Sequence, residues 1–133
     1  MRRLFATAFL VAFGFATPAL AALPPYVYEE ARNQAADVIV IEVTRVDTLG
    51  PSSCAINGHV LRVERGSTYT PHQSVRITAP CYGHQRVELP VGPVIYQETR
   101  RLRESRYGRA YLNGGALARY QYQVLSTPDQ PSP

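Results

Sequence analysis

The chain has 133 residues and carries 14 basic and 10 acidic side chains, which gives a formal net charge of +4. Every basic side chain is an arginine, which excludes mechanisms that need a lysine nucleophile or a lysine Schiff base. A chain of this length is expected to form one domain with a modest hydrophobic core.

The first 21 residues have the composition of a secretory signal peptide. Arg2 and Arg3 precede an apolar run from Leu4 to Phe15, and an Ala-x-Ala pattern ends at Ala21. The run is too short to cross a bilayer as a helix, which takes about 20 apolar residues. We therefore expect a bacterial protein that is exported to the periplasm or secreted, with no transmembrane segment in the mature chain.

Cleavage after Ala21 leaves a single globular domain over residues 22–125 and a tail over residues 126–133. The tail contains three prolines, and we expect it to be disordered. Removal of Arg2 and Arg3 leaves 12 basic and 10 acidic side chains. So small a positive excess, in an exported protein, argues against nucleic acid as a partner.

The mature domain is predicted to begin with a helix and to continue into strands. Tyr26–Ala36 has apolar residues at helical spacing, which predicts a short N-terminal helix. Val38–Val46 begins with β-branched residues on both faces, as is typical of a central strand covered on both sides. Alternating patterns predict three further strands, at His59–Arg65, Ser74–Ala79 and Arg119–Leu125.

A longer C-terminal helix is predicted from about Val94 to Leu112, because Pro93 suits a first helical turn and Gly114-Gly115 stops the helix. The elements together predict a mainly β fold of the α+β type. It is a small antiparallel sheet or OB-like barrel with a short N-terminal helix and a longer C-terminal helix. Both the open and the closed sheet fit the pattern, because closure depends on strand register.

Three strand segments, Ala36–Val43, Val60–Gly66 and Val75–Ile77, carry a resemblance to a known family. They resemble the opening strands of the OB-type barrel in the netrin-like domain of tissue inhibitors of metalloproteinases. The resemblance implies a small exported barrel. Those inhibitors bind the protease zinc through a free N-terminal cysteine, whereas the mature terminus expected here is Ala22, so the activity does not transfer. The later segment Ala110–Gly115 looks more like small exported bacterial proteins, which implies no particular function.

The chain has two cysteines, Cys54 and Cys81. Because an exported protein meets an oxidising compartment, we predict one disulfide between them, worth about 3 to 4 kcal/mol. The alternative is a catalytic or metal-binding thiol, to which the Cys81-x-x-His84 spacing would contribute one pair of ligands. No metal and no cofactor are expected.

Arginines cluster in the segment that is predicted to be the longer helix, at Arg100, Arg101, Arg103, Arg106 and Arg109. A spacing of three makes Arg100, Arg103, Arg106 and Arg109 neighbours on a helix, where like charges repel unless an anion compensates. One hypothesis is an anion-binding stripe for phosphate, lipid head groups or an acidic protein. The other is a solvated face whose arginine stems cover neighbouring tyrosines.

The chain contains none of the common short catalytic motifs. Its three histidines, His59, His72 and His84, are scattered. We therefore expect an exported binding or accessory module of the cell envelope without catalytic activity, whose partner is an envelope protein or an anionic surface ligand. The alternative is a small periplasmic hydrolase or metal-binding protein, which requires a histidine beside a nucleophile or an acid.

Overall fold

The structure, a computed structural model, describes residues 23–83, 89 and 92–133. The predicted signal peptide and His84 lie outside the described residues. The elements in chain order are α1 (Pro25–Gln34), β1 (Asp37–Gly50), β2 (Ser53–Arg65), β3 (Ser74–Tyr82), β4 (Gln97–Glu98), α2 (Thr99–Glu104), β5 (Tyr107–Asn113) and β6 (Ala116–Leu125).

The six strands form one sheet in the order β4-β3-β2-β1-β5-β6, curled into a half-barrel. Neighbouring strands are antiparallel except β3 and β4, which pair in parallel over two residues. The Gln97 side chain donates a hydrogen bond of 3.1 Å to the carbonyl oxygen of Tyr122. This bond links β4 with β6 at the opposite edge of the sheet. The fold is therefore mainly β, as predicted.

Strand β1 is central, because it pairs with β2 on one side and β5 on the other. Its first residues, Val38–Ile41, are buried on both faces. Ile39 and Ile41 belong to the core inside the curled sheet. Val38 lies on the outer face with Ala35 at the end of α1 and with Tyr111 on β5. The predicted central strand covered on both sides is confirmed, as is the short N-terminal helix.

The predicted longer C-terminal helix is wrong. Helix α2 has only six residues and ends at Glu104, because the next residue, Ser105, has an extended backbone (φ −94°, ψ 117°). From Tyr107 the chain instead forms β5, which pairs with β1 from Glu42↔Tyr107 to Asp37↔Leu112. In this segment Tyr107, Arg109 and Tyr111 alternate with smaller or aliphatic residues, as is typical of a strand. One of the latter is Gly108, and glycine is a poor helix former. Pairing with β1 therefore outweighs the helical propensity of Arg109 and Ala110.

The residues after β6 lie against the outer face of the sheet. The amide of Gln130 bonds the carbonyl of Thr127 in a turn, at 3.3 Å. The backbone carbonyl of Gln130 accepts a hydrogen bond from Arg109, and the carbonyl of Pro131 accepts one from Gln123. The segment for which the sequence predicts disorder thus has defined contacts with β5 and β6.

Candidate functional site

A groove of about 720 Å³ opens where the ends of β1 and β3 meet α2. Residues from these three parts of the chain line it, among them Thr48, Pro51, Tyr82, Thr99, Arg100 and Arg103. Exposed apolar residues stand at and beside its edge, since Tyr82 is 40% exposed and Leu49, next to Thr48, is 49% exposed. The groove therefore combines apolar, hydroxyl and cationic groups.

The disulfide forms part of the groove. Cys54 and Cys81 are bonded, with their Cα atoms 5.8 Å apart, so the predicted disulfide is confirmed. The bond ties the start of β2 to the end of β3, and Cys81 lines the groove. The hydroxyl of Thr99, the first residue of α2, lies 3.6 Å from Cys54 Sγ. Helix α2 therefore begins directly against the disulfide.

Two buried side chains determine which face of α2 meets the groove. Thr99 is 6% exposed and Leu102 is 2% exposed, and Leu102 belongs to the interior core. Residues three apart lie on the same side of a helix. Anchoring of this side leaves Arg100 and Arg103 exposed on the groove wall.

The two groove arginines differ in their partners. Arg100 Nε forms an ion pair with Glu104 Oε1 at 2.9 Å, and this hydrogen bond and charge raise the pKa of Arg100. Arg103 Nη2 donates a hydrogen bond of 3.0 Å to the hydroxyl of Thr48. None of the ion pairs formed among the described residues includes Arg103. Glu104 and Glu98 both line the groove, and their charges act on Arg100, so Arg103 is the cation best available to an anionic ligand.

The other two arginines of the predicted stripe lie elsewhere. Arg106 follows α2, with its guanidinium 5.4 Å from the centre of the Tyr107 ring and Nη2 3.2 Å from Glu42 Oε1. Arg109 lies on β5 with its side chain only 1% exposed. The structure thus brings Arg100 and Arg103 together and separates them from Arg106 and Arg109, because the helix ends at Glu104.

Arg109 is the centre of a buried polar network. It donates hydrogen bonds to both carboxylate oxygens of Glu64, to Gln123 Oε1 at 2.8 Å and to the carbonyl of Gln130 at 2.6 Å. Desolvation acts to raise the pKa of Glu64, but the hydrogen bonds and charges of Arg109 and Arg62 outweigh it, so this pKa is lowered. A sequence signal that could have indicated a strand here is the alternation of Tyr107, Arg109 and Tyr111 with smaller or aliphatic residues.

Sequence reasoning also missed a row of polar residues on the outer face of the sheet. Glu42 on β1, His59 on β2 and Ser74 on β3 are direct cross-strand partners, and His59 Nε2 lies 3.8 Å from Glu42 Oε2. The row is separate from the groove. It could not be read from the sequence because it depends on strand register. In the part of the chain that the structure describes, no group of three or more His, Cys, Asp or Glu residues could hold a metal ion.

Comparison of the chain with family models, with curated proteins and with solved structures finds no match. Neither helix in the described ranges is long and apolar enough to cross a membrane. The groove and its side chains are therefore the features that bear on function.

Proposed function

We propose that the protein is an exported binding module of the bacterial cell envelope, without catalytic activity, and that its groove binds the anionic group of a ligand. The observation that carries this proposal is the presence of Arg100 and Arg103 on the wall of one groove. Guanidinium groups recognise carboxylates and phosphates through two parallel hydrogen bonds. The signal peptide predicted at Met1–Ala21 supports an envelope location.

The surroundings of Arg103 suit such a role. Its bond to the Thr48 hydroxyl orients the guanidinium, and the remaining N–H donors stay available to a ligand. Pro51 and Tyr82 line the same groove and offer apolar contacts. The volume of the groove lies within the range of small-molecule sites. A ligand that joins a carboxylate or phosphate to a small apolar body fits this combination.

We further propose that the half-barrel is an OB-type barrel. Strands β1, β2 and β3 form a meander, and β5 and β6 form a hairpin that pairs with β1 through β5. Along the chain, α2 comes between β3 and β5. With this assignment the groove lies beside the β1–β2 turn, a loop that contributes to ligand binding in OB folds. The resemblance of the early strands to netrin-like domains supports the same assignment.

The test uses anilinonaphthalene sulfonate, an anionic aromatic dye whose fluorescence rises on binding. We expect Arg103→Gln to weaken dye binding at least about tenfold, since a charge-assisted hydrogen bond contributes about 1.5 to 3 kcal/mol. Arg101→Gln is the matched control: Arg101 lies on the same helix and is exposed, but it does not line the groove. Both substitutions remove one positive charge.

The comparison separates a groove site from general electrostatic attraction. Equal weakening by both variants would assign binding to net charge, and no change in either variant would exclude the groove as the site. Binding at the groove is also expected to weaken as salt is added, because screening reduces the attraction between exposed charges.

A small hydrolase is the second candidate, and the row of Glu42, His59 and Ser74 favours it. A carboxylate, an imidazole and a hydroxyl placed side by side are the components of nucleophilic catalysis. A hydrolase requires hydrolysis of an activated ester such as p-nitrophenyl acetate to fall at least a hundredfold in Ser74→Ala. An unchanged rate in that variant excludes the row as a catalytic site.

A further inference from the structure

The C-terminal residues lie on a surface formed by four side chains. They are Arg62 on β2, Arg109 and Tyr111 on β5, and Gln123 on β6. We call this surface the Arg109 face. It lies on the outer side of the sheet and shares no residue with the lining of the groove.

The Arg109 face contacts the main chain of the segment at two successive carbonyls. Arg109 Nη2 donates to the carbonyl of Gln130 at 2.6 Å, and Gln123 Nε2 donates to the carbonyl of Pro131 at 3.3 Å. Proline has no N–H, so its main chain offers only an acceptor. The face therefore donates to main-chain carbonyls, and a proline at the second position leaves no N–H there that needs a partner.

Two side chains of the segment have partners on the same face. Arg62 Nη1 lies 3.5 Å from Asp129 Oδ1, and the hydroxyl of Tyr111 is hydrogen bonded to that of Ser132. Four consecutive residues, Asp129–Ser132, thus each contribute one contact. An acidic residue, a proline two residues later and then a hydroxyl side chain define what the face recognises.

The face is held in shape by contacts that do not involve the segment. Arg109 is bonded to Glu64 and to Gln123 Oε1, and Tyr111 packs with Val38 and Ala118. We therefore expect the donors to keep their orientation when the segment leaves. Binding sites that are ordered in advance lose less free energy on binding.

We propose that the Arg109 face is a peptide-binding site that takes an extended Asp-x-Pro-Ser segment of a partner protein. The chain's own residues 129–132 occupy this site in cis. Their attachment directly after β6 gives them the advantage of a high effective concentration, which for short tethers reaches about the millimolar range. A partner segment binds when it is presented at comparable concentration or when the cis segment is displaced. This proposal does not depend on the groove.

The test separates the segment from the site without requiring a truncated chain to fold. A protease site is inserted between Leu125 and Ser126, the full chain is folded and oxidised, and the connection is then cut. The released segment is removed by gel filtration, and a synthetic peptide of residues 126–133 is titrated back. We expect saturable binding by the peptide and none by a scrambled peptide of the same composition.

Specific contacts give a further readout. Asp129→Asn in the peptide is expected to weaken binding about threefold at low salt and to have little effect at 1 M salt, because its ion pair with Arg62 is exposed. The proposal would be overturned if the cut chain stays folded but does not bind the native peptide. It would also be overturned if the scrambled peptide binds as well as the native one.

The uncut chain provides a readout should the cut chain unfold. Millimolar free peptide is expected to displace the cis segment and to increase hydrogen exchange of the Ser126 and Gln130 amides, whose hydrogen bonds hold the turn of the segment, whereas the scrambled peptide leaves exchange unchanged. Equal exchange with both peptides counts against the proposal. A concentration-dependent dimer that the free peptide dissociates would support it and identify a second copy of the chain as the partner.

Discussion

Replacement of Arg109 by alanine is expected to lower the free energy of unfolding by about 3 kcal/mol. The guanidinium is 1% exposed and is bonded to Glu64, Gln123 and Gln130. Removal of one partner of a buried ion pair typically costs about 3 to 5 kcal/mol, because the other charge loses its compensation. We choose the lower end because the Glu64 side chain is 29% exposed and water can partly solvate it.

Urea and thermal unfolding followed by far-ultraviolet circular dichroism measure this effect. For a domain of about 100 residues, 1 kcal/mol shifts the melting temperature by about 4 to 8 °C, so Arg109→Ala is expected to lower it by about 12 to 24 °C. Arg101→Ala is the matched control, because Arg101 is exposed and has no ion pair among the described residues. A change of less than about 0.5 kcal/mol is expected for the control.

The dependence on pH checks the cause of the effect. The pKa of Glu64 in the folded protein lies below the ordinary value of 4.5. Its stabilisation is therefore fully present above the unfolded pKa and is lost as the pH falls through the folded pKa. We expect the stability difference between the native chain and Arg109→Ala to be largest near neutral pH and to shrink below about pH 4.

Two results would refute this reasoning. If Arg109→Ala lowers the free energy of unfolding by no more than about 1 kcal/mol near neutral pH, the Arg109 network does not stabilise the fold as argued. If the difference in stability between the two chains is large but does not change with pH, it comes from the packing of the arginine stem and not from the charge of Glu64.

One substitution and one chemical treatment test the packing of the half-barrel. A Cβ at Gly108 would overlap the ring and hydroxyl of Tyr122 on β6, so Gly108→Ala is expected to lower the free energy of unfolding, measured with urea, by about 1 to 3 kcal/mol. The double variant Gly108→Ala, Tyr122→Leu is expected to recover part of this stability. No recovery would show that the methyl group introduced at position 108 and Tyr122 do not clash. Cys54 and Cys81 are 27 residues apart, and reduction of their disulfide is expected to lower the free energy of unfolding by about 3 to 4 kcal/mol. An unchanged urea midpoint with both thiols free would show that the disulfide does not stabilise the fold.

The strands could be predicted where their burial pattern is simple. The β-branched start of β1 indicates a strand covered on both faces, and the structure places it between β2 and β5 beneath α1. The alternation at β6 indicates a strand in the same way. The disulfide followed from the count of cysteines and the expected compartment. In each case local pattern and tertiary environment favour the same structure.

The segment Tyr107–Leu112 could not be assigned from local pattern alone. Arg109, Ala110 and Leu112 favour a helix, whereas the alternation of larger with smaller side chains suits a strand. Which of the two forms depends on the edge of β1, with which this segment pairs. The burial of Arg109 follows from that pairing, since a strand position facing Glu64 and the C-terminal residues is covered, whereas the same residue on a helix stripe is solvated. Long-range pairing therefore decided both the element and the role of its arginine.

The end of the helix at Glu104 also makes the anion-binding hypothesis more specific. A stripe along a longer helix would have spread four cations over one face with no concave surface. The short α2 is instead held at Thr99 by the disulfide and at Leu102 by the core, which brings Arg103 within 3.0 Å of Thr48 at the end of β1. The bond at Thr48 fixes a single guanidinium in a groove. A ligand there must satisfy both the charge of Arg103 and the shape of the surrounding walls, so binding at this site is expected to discriminate between anions rather than merely to attract them.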